Sequence, residues 1–222
     1  MRATLDHIDE IAPEIFTYWF SPAGSFFYTA GEFTELQLPH PHPDTRGERR
    51  WFTLSSSPTE DLLGITTRIS PDKGSSYKEA MRALKPGTTV QMAEPMGDFV
   101  LPKGRGVPLI FIAGGLGITP VRSIVRFLHD SGEQRDIHLF RIVSKANEEI
   151  FADELHDYPL QYHLFNKAGK RLAAADVLEV LKDKSLIYLA GPERLIAAMS
   201  DDLRQNDIQD RRIITDLFPG YN

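Results

Sequence analysis

The 222-residue chain contains no cysteine. Disulfides, thiolate zinc sites, a cysteine nucleophile and a cysteine-ligated iron–sulfur cluster within it are therefore excluded. An excess of positive charge is also missing. The net charge is −6, and nucleic-acid binding, which favours basic patches, is not expected. No apolar run approaches the ~18 residues of a membrane span, so no transmembrane segment is expected. The opening stretch MRATLDHIDEIAPEIF lacks a basic start followed by an apolar core. No secretion signal is read there, and a cytoplasmic location is the default expectation. Internal repeats and low-complexity segments are absent. What remains is the composition of a soluble globular protein, long enough for one large or two small domains at ~100–200 residues each.

The chain is organised around Val107–Leu128, VPLIFIAGGLGITPVRSIVRFL. Val107–Ala113 is a short apolar run suited to a strand buried on both faces. Gly114, Gly115 and Gly117 follow at once. Thr119-Pro120 then opens a helical pattern with Val121, Ile124, Val125 and Leu128 on one face. A strand, a glycine turn and a helix N-terminus make an arrangement that can receive a phosphate, because free N–H groups and the helix dipole point at the anion. An ordinary tight turn has the same outline, so the rest of the chain must decide between them.

Before this stretch the pattern is that of short strands separated by turn signals, as in a small antiparallel barrel. Strands are expected at Ile11–Phe20, Phe26–Leu38 (broken near Ala30-Gly31), Arg50–Ser57, Leu63–Ile69 and Val90–Ala93, with a last one at Phe99–Leu101. A short helix is expected at Tyr77–Leu84. His40 and His42 lie in a proline-rich loop with no carboxylate–histidine cluster around them, and no metal site is expected. LPKGRGVP reads as a linker, which divides the chain into domains at 1–103 and 104–222. After it, strands alternate with helices: Leu109–Ala113, Pro120–His129, Asp136–Val143, Asn147–Leu155, Leu160–Phe165, Ala173–Leu181, Ser185–Ala190, Glu193–Gln205 and Arg212–Thr215. That alternation predicts an α/β domain built on a parallel sheet with helices on both faces, binding its ligand at the carboxyl ends of the strands.

Four motifs, in order, carry a resemblance. They are Arg50-Trp51-Phe52-Thr53, Gly74-Ser75-Ser76-Tyr77, Gly114-Gly115-Leu116-Gly117-Ile118-Thr119-Pro120 and Ala190-Gly191-Pro192. With them the chain resembles, over nearly its whole length, the ferredoxin–NADP reductase superfamily of flavin-dependent nicotinamide oxidoreductases. The resemblance implies an antiparallel β-barrel that binds FAD, followed by the α/β domain that binds NAD(P)H. Arg50 would pair with the flavin's phosphate, Phe52 would pack on the flavin, and Thr53 would lie near flavin N5. Trp51 belongs to the same motif. Gly74, Ser75 and Ser76 match the turn the family offers to the pyrophosphate of FAD, which favours FAD over FMN. Gly114, Gly115, Gly117, Thr119 and Pro120 would hold the nicotinamide dinucleotide, with Ala190, Gly191 and Pro192 beside its nicotinamide. Ser144 and Lys145, with Arg141 near, lie where the family meets the adenosine ribose. Tyr221, or Phe218, would cover the flavin ring.

Two residues depart from the pattern. Phe52 replaces a tyrosine and Ala190 a cysteine. The function implied is hydride transfer from NAD(P)H to bound FAD, followed by passage of electrons to a separate redox protein, a membrane redox partner or a small molecule. The rival readings are a reductase using free flavin as substrate and a non-catalytic flavin- or nucleotide-binding subunit of a redox assembly.

Overall fold

The computed structural model describes residues 1–70, 74–166, 169 and 171–217. Two sheets organise them. The first holds β1 (Arg2–Ala12), β2 (Ile15–Pro22), β3 (Phe33–Gln37), β4 (Arg49–Thr53), β5 (Leu63–Arg68) and β6 (Thr89–Met92), with helix α1 (Ser76–Arg82) between the last two. Its strand order is β4-β3-β6-β1-β2-β5 and every pairing is antiparallel. An isolated bridge from Leu54 to Ile65 brings the two ends of that order together, giving the barrel expected from the sequence. Leu5, Tyr18, Phe20, Leu36, Phe52, Leu54, Ile65 and Val90 fill its interior, and α1 adds Tyr77 and Met81.

The second sheet is parallel. It comprises β7 (Leu109–Gly114), β8 (Ile137–Val143), β9 (Gln161–Asn166), β10 (Leu186–Gly191) and β11 (Ile213–Leu217), in the order β11-β10-β7-β8-β9. Helices α2 (Ile118–Asp130), α3 (Ala152–His156), α4 (Ala174–Leu178) and α5 (Glu193–Gln205) cover it. The period-2 alternation of β7 assigns the helices to faces. Leu109, Phe111 and Ala113 pack with Val121, Ile124 and Val125 of α2 and Leu155 of α3. Ile110 and Ile112 pack with Val177 of α4 and with Ile196, Met199 and Leu203 of α5. Strand order reverses between β7 and β10, and such a switch point leaves a crevice at the carboxyl ends of the strands.

Several elements differ from the sequence reading. β1 begins at Arg2, well before the first expected strand. Its register shifts between Leu5 and His7 and again between Glu10 and Ala12, so two bulges scramble the alternation that marks a strand. The expected Phe26–Leu38 strand is broken at Gly31 as read, with φ +99° and a Cβ there 2.0 Å from the Phe99 carbonyl oxygen, but only the part after the break, β3, is a strand. Phe99–Leu101 is not a strand. Phe99 instead packs edge-on against Tyr188, whose hydroxyl donates to Val100 O at 2.8 Å. The expected Asn147–Leu155 helix is split into a single 3₁₀ turn at Ala146–Glu148 and α3, with Phe151 between them at φ +62°.

Candidate active site

Strand β4 carries the first motif, and alternation along it sends the side chains to opposite sides. Arg50 and Phe52 lie towards α1. Phe52 is buried 6.1 Å from the Tyr77 ring, and the Arg50 guanidinium lies 4.8 Å from the centre of the same ring. Arg50 is heavily engaged. Its Nη2 donates to Asp44 Oδ1 at 2.7 Å, and its Nη1 donates to the carbonyls of Arg46, Gly47 and Arg49 at 2.7–2.9 Å. Burial acts to raise the Asp44 pKa, but hydrogen bonds from the Arg46 N–H and Arg50, with the Arg50 charge, hold it below the usual value. Trp51 points away, 52% exposed and edge-on to Phe33.

The second motif lies opposite. Ser75 caps α1 and accepts from the Lys78 N–H. Ser76 Oγ accepts from the Asp44 N–H at 3.1 Å and lies 3.0 Å from His40 Nε2. Gly74 is exposed. The sequence reading missed Lys78. Its amine lies 5.1 Å from the Phe52 ring centre and donates to Thr67 Oγ1. Burial, reinforced by the charges of Arg50 and Arg46, pushes its pKa down to about 7. It faces no carboxylate among the described residues.

The third and fourth motifs meet at the switch point. Gly115–Gly117 is a 3₁₀ turn running into α2, whose N-terminus has no side-chain cap. Thr119 is buried and its hydroxyl donates to Leu116 O at 2.9 Å, so it shapes the turn from within. Pro120 is buried in the first turn of α2. The backbones of the two motifs are in contact. A Cβ on Gly117 would lie 2.1 Å from Ala190 O, and one on Gly191 would lie 2.8 Å from Gly114 O. Ala190 is fully buried, and Pro192 precedes α5, whose N-terminus is likewise uncapped by a side chain.

Three further residues differ in availability. Ser144 and Lys145 are exposed beyond the end of β8. Arg141 is fully buried instead. It donates to the carbonyls of Ala113, Ile142 and Glu148, and burial lowers its pKa to about 10. It is therefore neither a surface charge nor free to meet a ribose phosphate. Tyr221 and Phe218 lie outside the described residues.

Thr53 joins the two halves. It is buried at the end of β4, and its Oγ1 donates to Asp216 Oδ2 of β11 at 3.5 Å. Asp216 is the register partner of Ala190, so the first and fourth motifs lie on either side of this carboxylate. Burial pushes its pKa up to about 6, partly offset by the Thr53 hydroxyl. A lone acid at the end of the apolar strand IITDL was the available sequence signal for it.

No family model matches the chain. Among curated proteins, the phenol hydroxylase P5 protein of Acinetobacter pittii is 26% identical over 98% of this chain and 65% of its own length. Ferredoxin–NADP reductase B of Sorangium cellulosum is 33% identical over 59% of this chain and 52% of its own. In sequence the chain is thus similar to ferredoxin–NADP reductases and to reductase components of oxygenases. The same two-sheet fold is seen in full in the flavohem-like FAD/NAD-binding domain of nitric oxide dioxygenase from Vibrio cholerae. That domain matches at a TM-score of 0.83 with 18% identity, over 98% of both chains. Against these and other curated relatives, the chain spans 33% to 65% of their length. Among the described residues no helix is long and apolar enough to cross a membrane.

Proposed function

We propose that the chain is an NAD(P)H-dependent flavoprotein oxidoreductase that passes electrons to a separate acceptor. The observation that carries this reading is the meeting of Thr53 with Asp216 beside Ala190. It sets the barrel strand of the first motif against the carboxyl edge of the parallel sheet, at the switch point. The residues present fit an anionic flavin nucleotide. Lys78 is enclosed without a facing carboxylate among the described residues, beside Arg46 and Arg50, and a phosphate would supply the missing counter-charge. FAD held there would supply the redox chemistry, namely uptake of a hydride (two electrons with one proton) from NAD(P)H, released as NAD(P)⁺, and release of the electrons singly.

The chain's own residues bind and orient. Arg50, Lys78, Ser75 and Ser76 would hold the flavin's phosphates, and Phe52 would pack on the flavin. Gly114–Pro120 and Ala190–Pro192 receive the dinucleotide at the N-termini of α2 and α5. Ser144 and Lys145 face its adenosine ribose. Thr53 and Asp216 stand where the two cofactors meet, and Asp216, with its raised pKa, can hold or release a proton near neutral pH.

The test is an absorption spectrum of the purified protein before and after anaerobic addition of NADH and then NADPH. A flavin spectrum that bleaches supports the proposal, and the faster nucleotide gives the preference. A flavin spectrum unmoved by either nucleotide points to a non-catalytic binding subunit. A colourless protein that turns over only with added flavin is a reductase of free flavin.

A further inference from the structure

The two cofactor stretches are stapled to each other just downstream of both motifs. Arg122 and Ser123 follow Pro120 in α2, and Ser55 and Ser56 follow Thr53 in the barrel. Arg122 Nη1 donates to Ser55 O at 2.8 Å, and Ser123 Oγ donates to Ser56 O at 2.6 Å. Ser123 Oγ also accepts from the Gly31 N–H at 3.3 Å. The guanidinium fork closes on Glu60 of the barrel, with Nη1 to Oε2 at 2.9 Å and Nη2 to Oε1 at 3.1 Å. On its other edge, Nε donates to Glu154 of α3 at 2.7 Å. Trp19 from the barrel and Phe151 from the α/β half flank the cation at 5.8 and 5.2 Å. The Arg122 side chain is only 6% exposed.

Stability alone is a poor reason for this arrangement. Two charges taken out of water seldom hold an interface better than apolar residues of the same volume. A bidentate fork supplies what apolar contacts cannot, namely a fixed distance and a fixed angle. Here it fixes the helix that starts at the nucleotide turn against the strand that carries Thr53. We infer that Arg122, assisted by Ser123, is a positioning residue that sets the separation between the Gly114–Pro120 turn and the end of β4, and thereby the rate of hydride transfer. This role rests on the function proposed above. Transfer between bound partners falls steeply with misplacement, by ~100-fold for ~1 Å. A residue that sets the gap without touching either cofactor alters that rate and leaves both occupancies unchanged.

The experiment compares wild type with Arg122→Lys, which keeps the charge and loses the fork, and with the milder Ser123→Ala. Three quantities are read on each: flavin content after purification, the dissociation constant for the oxidised nucleotide, and the rate of anaerobic flavin reduction in a single turnover. For Arg122→Lys the reduction rate is expected to fall at least tenfold, with flavin content and nucleotide affinity within twofold of wild type. Ser123→Ala is expected to show a smaller fall of the same kind, and it keeps the inference testable if Arg122→Lys does not fold. Unchanged rates overturn the role. So does a fall in rate matched by equal losses of flavin or nucleotide binding, which marks a structural or binding residue. A wild type that takes up flavin but is reduced by neither nucleotide overturns the functional reading itself, and this role with it.

Discussion

Replacing Asp216 with asparagine removes a carboxyl group that is costly to ionise in its place. Burial pushes its pKa from 3.8 up to about 6. At ~1.4 kcal/mol per unit, and allowing for the partial exposure of the strand end, ionisation opposes folding by about 2–3 kcal/mol. The sign follows from the protons bound. Between pH 3.8 and about 6 the folded chain keeps a proton that the unfolded chain has released. The stabilisation is complete below that window and is lost as the pH rises through it. The asparagine side chain binds no such proton. The melting temperature of Asp216→Asn relative to wild type should therefore climb between pH 4 and pH 7. At ~2–4 °C per kcal/mol for a chain of this size, the climb is roughly 5–10 °C. Thermal unfolding of the two apoproteins, followed in parallel by circular dichroism across that range, cancels every other titrating group. A difference in melting temperature that does not vary with pH would refute the reasoning, because it would mean that Asp216 ionises as readily in the folded chain as in the unfolded one.

Arg50→Ala is expected to weaken flavin retention and to loosen the loop that Arg50 ties through Asp44 and three carbonyls; unchanged flavin occupancy after purification would rule out the phosphate role. Lys78→Met removes an amine whose pKa is depressed to about 7. Because the unfolded chain binds more protons there than the folded one, this variant should stabilise the apoprotein most below pH 7, with the gain shrinking as the pH rises towards 10, while lowering flavin affinity. Urea melts and flavin titration read the two effects, and an affinity that holds or rises excludes Lys78 from the phosphate site. Gly117→Ala drives a Cβ to within 2.1 Å of Ala190 O and should destabilise by about 3 kcal/mol. A urea midpoint equal to that of wild type would show that the two turns can part without cost.

The α/β half was legible because its signals are local. β7 is apolar throughout, and α5 occupies the same Glu193–Gln205 span that its periodicity predicts. The barrel was less so. β1 is bulged twice, which flips its alternation midway, and the stretch before the expected break at Gly31 is not a strand at all. The Asn147–Leu155 pattern has helical spacing, yet Phe151 in the left-handed region divides it, with its ring placed beside Arg122. Tertiary contact won over local preference there. The motif residues themselves were visible, since each lies in a turn or strand with its own signature. Their partners were not. Thr53 and Asp216 are far apart in the chain, as are Ser55 and Arg122, and Lys78 shows as one cation among many until burial singles it out. Only the folded chain says which charges lose their water.

The crossing of Gly114, Gly117 and Gly191 bears on how such a site can be inherited or moved. The Ala190-Gly191 backbone occupies the room of a Gly117 side chain and the Gly114 backbone that of a Gly191 side chain, while the Cβ missing from Gly114 would meet Leu195 Cδ2 at 2.3 Å. The three positions are therefore not independent letters. Enlarging Gly117 or Gly191 demands that a strand end shift, whereas enlarging Gly114 displaces the Leu195 side chain of α5. A designer who transplanted Gly114–Pro120 into a different parallel sheet would import a turn with nothing to fit against. The smallest portable unit is the pair of neighbouring strand ends, β7 with its glycines and β10 with Ala190-Gly191-Pro192, carried together with the first turn of α5.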